Sequence, residues 1–152
     1  MIRTPTGEID IAALIPHSGS MCLLDHVVRY DETEIHCSTG SHRNAANPLA
    51  VGGRLDTICA VEYAAQAMAL HGALTGPVAG RPTMGYLASL RDVDCDDDRL
   101  DLLEADLDIT ATRLHGEPGR FIYMFAVHCQ GRKLLTGRAA VVLDAGGGGL
   151  RS

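Results

Sequence analysis

The stretch Leu55 to Leu74, LDTICAVEYAAQAMALHGAL, constrains this chain more than any other. Asp56 offers an N-cap side chain, and no proline or glycine interrupts the run before Gly72, so the pattern predicts one long helix. Ile58, Val61, Met68, Leu70 and six alanines spread around most of its circumference. A helix apolar on nearly every side is buried on most of them. Glu62 and Gln66 interrupt it, and it is too short, for a membrane span. The rest of the chain must therefore supply a layer that wraps it.

Cys59, Glu62 and Gln66 recur at spacings of three and four, which stacks them on one helix face. An ionised carboxylate buried without partners costs on the order of several kcal/mol. A fully buried Ile, Leu or Met contributes only about 1.5–3 kcal/mol. Glu62 therefore either lines a cavity where its charge or proton is used, or is satisfied at a wet seam between chains; we favour the cavity.

At 152 residues the chain is expected to form one domain over 1–145, with a disordered glycine-rich tail over 146–152. The net charge of −6 argues against a generic nucleic-acid or anionic-membrane binder, since both need a basic surface. MIRTPTGEIDI lacks the apolar segment of a signal peptide. Five scattered cysteines, an odd number, read as reduced thiols in the cytoplasm. With two Phe and no Trp, a ligand cavity would be lined by Leu, Val, Ala and Met.

In chain order, Thr6 to Leu14 reads as a short helix ended by Pro16, which leaves Ile15-Pro16-His17 as an extended corner. His26 to Thr39 reads as one strand broken at Asp31-Glu32-Thr33, and 40–53 as a loop into the central helix. Met84 to Leu90 is a strand followed by an acidic turn, Arg91 to Arg99. Leu102 to Leu114 alternates apolar and polar residues with a period of two. Strands over Arg120–Gln130 and Lys133–Asp144 complete the pattern. One helix and an antiparallel sheet of about five strands make an α+β arrangement, with the helix on the concave face. A single sheet leaves one side of so apolar a helix bare, so a dimer is expected.

Three stretches resemble the hot-dog-fold 3-hydroxyacyl-acyl-carrier-protein dehydratases: Ile15-Pro16-His17 with Met21-Cys22-Leu23-Leu24-Asp25, then Val61 to Ala67, then Tyr86 to Arg91. The usual members carry a catalytic His in a Gly-His-Phe-Pro segment before the helix Glu. Here that region reads Asn47-Pro48-Leu49-Ala50-Val51-Gly52-Gly53. This pattern resembles the divergent branch of aryl-polyene clusters, a second dehydratase-like subunit acting beside a more typical one.

The resemblance implies removal of water from 3-hydroxyacyl thioesters held as acyl-phosphopantetheine on an acyl carrier protein. That chemistry needs a base for the C2 proton, an acid for the departing hydroxyl and donors for the thioester carbonyl. An apolar setting favours the protonated form of a carboxylic acid, which suits Glu62. The Pro-fixed corner could aim His17 inward as the base, or His17 could simply bond backbone; His42 is its main rival. Gln66 and the backbone N–H near Ser89 are the expected substrate contacts. His71 is nine residues beyond Glu62 and about half a turn away on an ideal helix. Arg43, Arg54, Arg81 and Arg91 are candidates for a basic patch that receives the carrier.

Neither a metal nor a cofactor is expected. Cys22/His26 and Cys37/His42 lack a second ligand pair. Asp92 to Asp96 starts like a calcium loop, but Asp97 stands where glycine is required. Two further readings remain: a non-catalytic partner subunit of a heteromeric dehydratase, and an acyl thioesterase in which Glu62 activates water. The partner is a second copy or a related dehydratase subunit.

Overall fold

The computed structural model describes residues 9–15, 21–76, 85–117 and 119–143. The alternating segment folds as a strand: Leu107, Ile109 and Ala111 are buried, while Asp108, Thr110 and Thr112 lie on the other, half-exposed face. This strand is β4 (Leu107–Glu117), and it is preceded by α1 (Ile11–Leu14), β1 (His26–Tyr30), β2 (Glu34–Thr39), α2 (Ala60–Thr75) and β3 (Gly85–Cys95). After it come β5 (Arg120–Cys129) and β6 (Arg132–Leu143). Single 3-10 turns at Ser41–Arg43 and Thr57–Cys59 lead towards α2.

All neighbouring strands are antiparallel, in the order β1-β2-β4-β5-β6-β3. The sheet has six strands rather than about five, because the segment 26–39 doubles back. Asp31 Oδ1 accepts the Thr33 and Glu34 amides, both at 2.8 Å, and closes a side-chain turn between β1 and β2. Gln130 and Gly131, with φ of 52° and 79°, close the β5–β6 hairpin in the mirror-image geometry that matches strand twist.

The expected acidic turn is also revised. β3 runs on through Arg91 to Cys95 alongside β6, with register shifts between Leu87 and Ser89 and between Arg91 and Asp94. Asp92, at φ 55°, sits in the second irregularity. Lys133 pairs with Asp94 and Asp96, and Arg132 with Asp97, so bases from the β5–β6 hairpin and β6 make the acidic strand tolerable. The strand expected from Leu102 begins at Leu107, and the short helix is described from Ile11 onward.

α2 lies across β2, β4 and β5. Tyr63, Ala64, Gln66, Ala67, Leu70 and His71 are fully buried, and Val61, Ala65, Ala69 and Leu74 pack partly against the same core. The expected Asp56 cap is not made; the Asp56 carboxylate pairs with Arg54 instead. The entry to the helix is held by a short ladder to the loop before β4. Thr57 N donates to Asp98 O at 3.0 Å, Leu100 N to Leu55 O at 2.8 Å, and Leu55 N to Asp101 Oδ1 at 2.9 Å. Arg99 and the Leu55 amide together hold the Asp101 carboxyl down at about 2. Among the described residues, no helix is long and apolar enough to cross a membrane.

Candidate functional site

Glu62 and Gln66 are one turn apart on α2, and Gln66 Nε2 donates to Glu62 Oε2 at 3.3 Å. Gln66 is fully buried and Glu62 partly so. The remaining atoms of the Gln66 amide seize the segment that arrives from the N-terminal side. Gln66 Nε2 donates to Met21 O at 2.7 Å, and Leu23 N donates to Gln66 Oε1 at 2.8 Å. The irregular Met21–Leu24 run thus crosses the helix beside the carboxylate. Glu62 also lies in the first turn of α2, where the positive end of the helix dipole offsets part of the cost of burying a charge.

Next to Glu62, Tyr63 points into the core with no exposed surface. Its hydroxyl lies 2.9 Å from Ser41 Oγ and 3.0 Å from Asn47 Nδ2, and Ser41 Oγ lies 2.7 Å from Leu23 O. Burial pushes the Tyr63 phenol above its usual range. Asn47 stands in the loop where the usual dehydratases carry a catalytic His, and its amide is committed to Tyr63 and to the Ser41 carbonyl.

His17 lies outside the described residues. His42 is buried, and its Nε2 meets Leu103 O at 3.0 Å. A carbonyl only accepts, so Nε2 carries the proton and Nδ1 is the basic nitrogen. Nδ1 is buried without a partner among the described residues. Desolvation holds the ring below its ordinary range, so His42 is neutral at pH 7. Ser89 is exposed on the edge strand β3, opposite Ala140. Of the basic candidates, Arg43 bonds Glu104 O and Asp106, Arg54 bonds Asp56, Arg91 is exposed, and Arg81 lies outside the described residues.

The second half of α2 carries a separate polar cluster. His71 is fully buried; Nε2 lies 2.8 Å from Asp31 O and Nδ1 2.7 Å from Tyr123 Oη. Nε2–H therefore donates to the Asp31 carbonyl, and the Tyr123 hydroxyl donates to Nδ1. Arg113 Nη2 reaches Thr75 Oγ1 at 3.1 Å, Tyr123 Oη at 3.2 Å and His71 Nδ1 at 3.3 Å, while its guanidinium stacks 4.3 Å over Phe121. Desolvation, reinforced by the neighbouring Arg113 charge, pushes His71 down to about 4. Its ring is neutral at pH 7 and faces away from the Glu62 strip.

Set against known proteins, residues 9–145 match the model of the ApeP-like family, described as ApeP dehydratase. The chain belongs to the ApeP-like dehydratase family. It is similar to a chain in the structure of the dehydratase heterocomplex ApeI:P from Xenorhabdus doucetiae: 23% identity, 94% of this chain and 95% of that one, TM-score 0.79. A mutant thioesterase from Pseudomonas aeruginosa is 12% identical over 78% of this chain and 79% of that one, with a TM-score of 0.58. A thioesterase from Haemophilus influenzae is 10% identical over 78% and 77%, also with a TM-score of 0.58. At such identities the likeness is one of fold, and the fold is the hot-dog arrangement of a helix wrapped by an antiparallel sheet. Among curated proteins, nothing matches.

In this ApeP-like chain, sequence reasoning singled out Glu62 and Gln66 and missed Tyr63, Ser41 and Asn47. Nothing local signals their meeting, since they are 16 and 22 residues apart in the chain. The one available hint was a tyrosine beside the acid in an otherwise alanine-rich helix. Among the described residues, no three His, Cys, Asp or Glu side chains gather as ligands for a metal ion.

Proposed function

We propose that this protein removes water from 3-hydroxyacyl thioesters carried on an acyl carrier protein. Glu62 is the acid for the departing hydroxyl and His17 the base for the C2 proton. The observation that carries this reading is the Gln66 clamp. One amide holds the Glu62 carboxylate and the Met21–Leu23 backbone together, and His17 stands four residues before that segment in the sequence. A base on the segment before Met21 and an acid on the helix would together meet what β-elimination requires. The N–H groups around Ser89 serve the thioester carbonyl, while the expected substrate contact Gln66 has its amide committed to Met21, Leu23 and Glu62 and so holds the acid in place.

The site is shared with a second chain, a copy or a related dehydratase subunit. β3 is a sheet edge with Leu87, Leu90 and Val93 exposed, a surface that a second sheet edge would cover. Of the described candidates, carrier docking relies on Arg91 more than on Arg43 and Arg54, whose charges are already paired.

A second reading has its own support. Asn47 occupies the loop that bears the base in the usual dehydratases, and its amide is fully engaged in structure. In that reading the chain completes the site of a partner that supplies the base. The deciding assay follows 3-hydroxyacyl-carrier substrate by mass spectrometry, with this chain alone and with a co-expressed dehydratase-like subunit. Enoyl product from the chain alone, abolished by His17→Ala, supports the first reading. Product only with the partner, and insensitive to His17→Ala, supports the second. Loss in His42→Ala with full activity in His17→Ala moves the base to His42 Nδ1, and release of free acid instead of enoyl product makes the protein a thioesterase.

A further inference from the structure

The hydrogen bonds around Tyr63 have only one consistent direction. Ser41 Oγ has a single proton, and Leu23 O, 2.7 Å away, can only accept, so that proton goes to Leu23. The 2.9 Å contact between Tyr63 Oη and Ser41 Oγ is then made by the tyrosine proton. Asn47 Nδ2 has two protons and places one on Ser41 O at 2.9 Å and the other on Tyr63 Oη at 3.0 Å. The chain of donors runs Asn47 to Tyr63 to Ser41 to the Leu23 carbonyl. The Leu23 amide then donates to Gln66 Oε1, and Gln66 Nε2 donates to Glu62 Oε2.

We propose that Tyr63 is a positioning residue for Glu62, acting through Ser41, Leu23 and Gln66 rather than by touching substrate. The two side chains are neighbours on α2 but leave the helix on different faces, and these hydrogen bonds connect them around the Met21–Leu24 segment. Tyr63 pins the 41–47 loop and that segment to the helix, and the pinned segment fixes the Gln66 amide that orients the carboxylate. Tyr63 and Gln66 have no exposed surface, Asn47 is 7% exposed, and Ser41 is partly exposed. Water therefore does not replace the Tyr63 hydroxyl or the Gln66 amide, and a displacement at Tyr63 is passed on to Ser41 and Leu23. The catalytic part of this proposal rests on the dehydratase reading given above.

The test pairs two substitutions that each remove one buried phenol hydroxyl from the contacts of the same helix: Tyr63→Phe, and Tyr123→Phe as the control. Amide hydrogen exchange is followed at Leu23 and over residues 41–47, with α2 residues 64–70 as an internal reference. Turnover is measured on a 3-hydroxyacyl carrier substrate in whichever form the wild type is active, alone or with its partner chain. In Tyr63→Phe the Leu23 amide should exchange roughly tenfold faster relative to that reference, and kcat should fall roughly tenfold with KM within about twofold. Ser41→Ala should reproduce both changes, and the double variant should be no worse than either single one. Tyr123→Phe should leave Leu23 exchange and kcat unchanged. Unchanged Leu23 exchange in Tyr63→Phe overturns the pin, whether or not the chain turns over substrate. Faster exchange with unchanged kcat overturns the positioning role. A wild type without turnover in any form sinks the dehydratase reading and the catalytic half of the proposal with it, while the exchange arm still decides the pin.

Discussion

The two halves of α2 both bury polar side chains against the same sheet, and they do so in opposite ways. In the first half, Gln66 binds loop backbone and Tyr63 binds the loop side chains of Ser41 and Asn47, and the network ends on the Glu62 carboxylate, in the first helical turn. In the second half, His71, Tyr123, Arg113 and Thr75 bind mainly one another and end on the Asp31 carbonyl. The first network ties connecting segments to a group that can exchange a proton. The second ties helix to strands and holds its histidine neutral. Burial of a titratable group is thus no sign of function by itself; what distinguishes the two is where the hydrogen bonds lead.

The largest effect that would test this contrast is on turnover. Glu62→Gln should keep the fold, because Gln has nearly the same volume and no charge to bury, while dehydration falls by roughly 10²–10⁴-fold. Circular dichroism beside the enoyl-product assay checks both halves of the statement. A Glu62→Gln protein with full turnover would make the first network as structural as the second.

His71→Leu should do the reverse. It removes the donor to the Asp31 carbonyl and the acceptor of the buried Tyr123 hydroxyl proton, so unfolding free energy should fall by about 2–4 kcal/mol. Turnover per folded molecule, measured below the transition, should stay at the wild-type value. A kcat loss without destabilisation would give His71 a catalytic role.

The same residue sets a pH dependence. His71 is held at about 4 in the folded protein, below its ordinary 6.5, so the unfolded chain takes the proton first. Stability from this group is complete above about pH 6.5 and is lost as pH falls towards 4, by up to about 3 kcal/mol. Urea titrations across that window should show the slope in wild type and a flatter one in His71→Gln.

The smallest effect concerns the helix entry. Asp56 makes no capping bond, so Asp56→Ala should cost within about 0.5 kcal/mol, less than an ordinary N-cap and in the range of an exposed ion pair. Thermal unfolding showing a loss of about 1 kcal/mol or more would restore the cap.

Much of the fold was legible because it is written in local patterns. The apolar run from Leu55, the alternation through Leu107, Ile109 and Ala111, and the strands ending near Cys129 and Leu143 all follow from composition and period. The hairpin of β1 and β2 was half legible: the Asp31 turn was visible, but not that the chain reverses there to add a strand. The continuation of β3 through Arg91 to Cys95 was illegible. A run of aspartates reads as a solvated turn until Arg132 and Lys133 are brought beside it.

For the site, the sequence by itself determined that Glu62 and Gln66 share a helix face, since a spacing of four and a regular helix suffice for that. Only the tertiary structure decided what they hold. Gln66 meets Leu23 across 43 residues, His71 meets Tyr123 across 52, and His42 meets Leu103 across 61. A helix repeats its own geometry every few residues, so local order is carried by nearest neighbours in the chain. A buried polar group must find a partner wherever the sheet and loops bring one, because leaving it unpaired costs more than an ordinary hydrogen bond contributes. Partner choice at this site therefore belongs to the folded core.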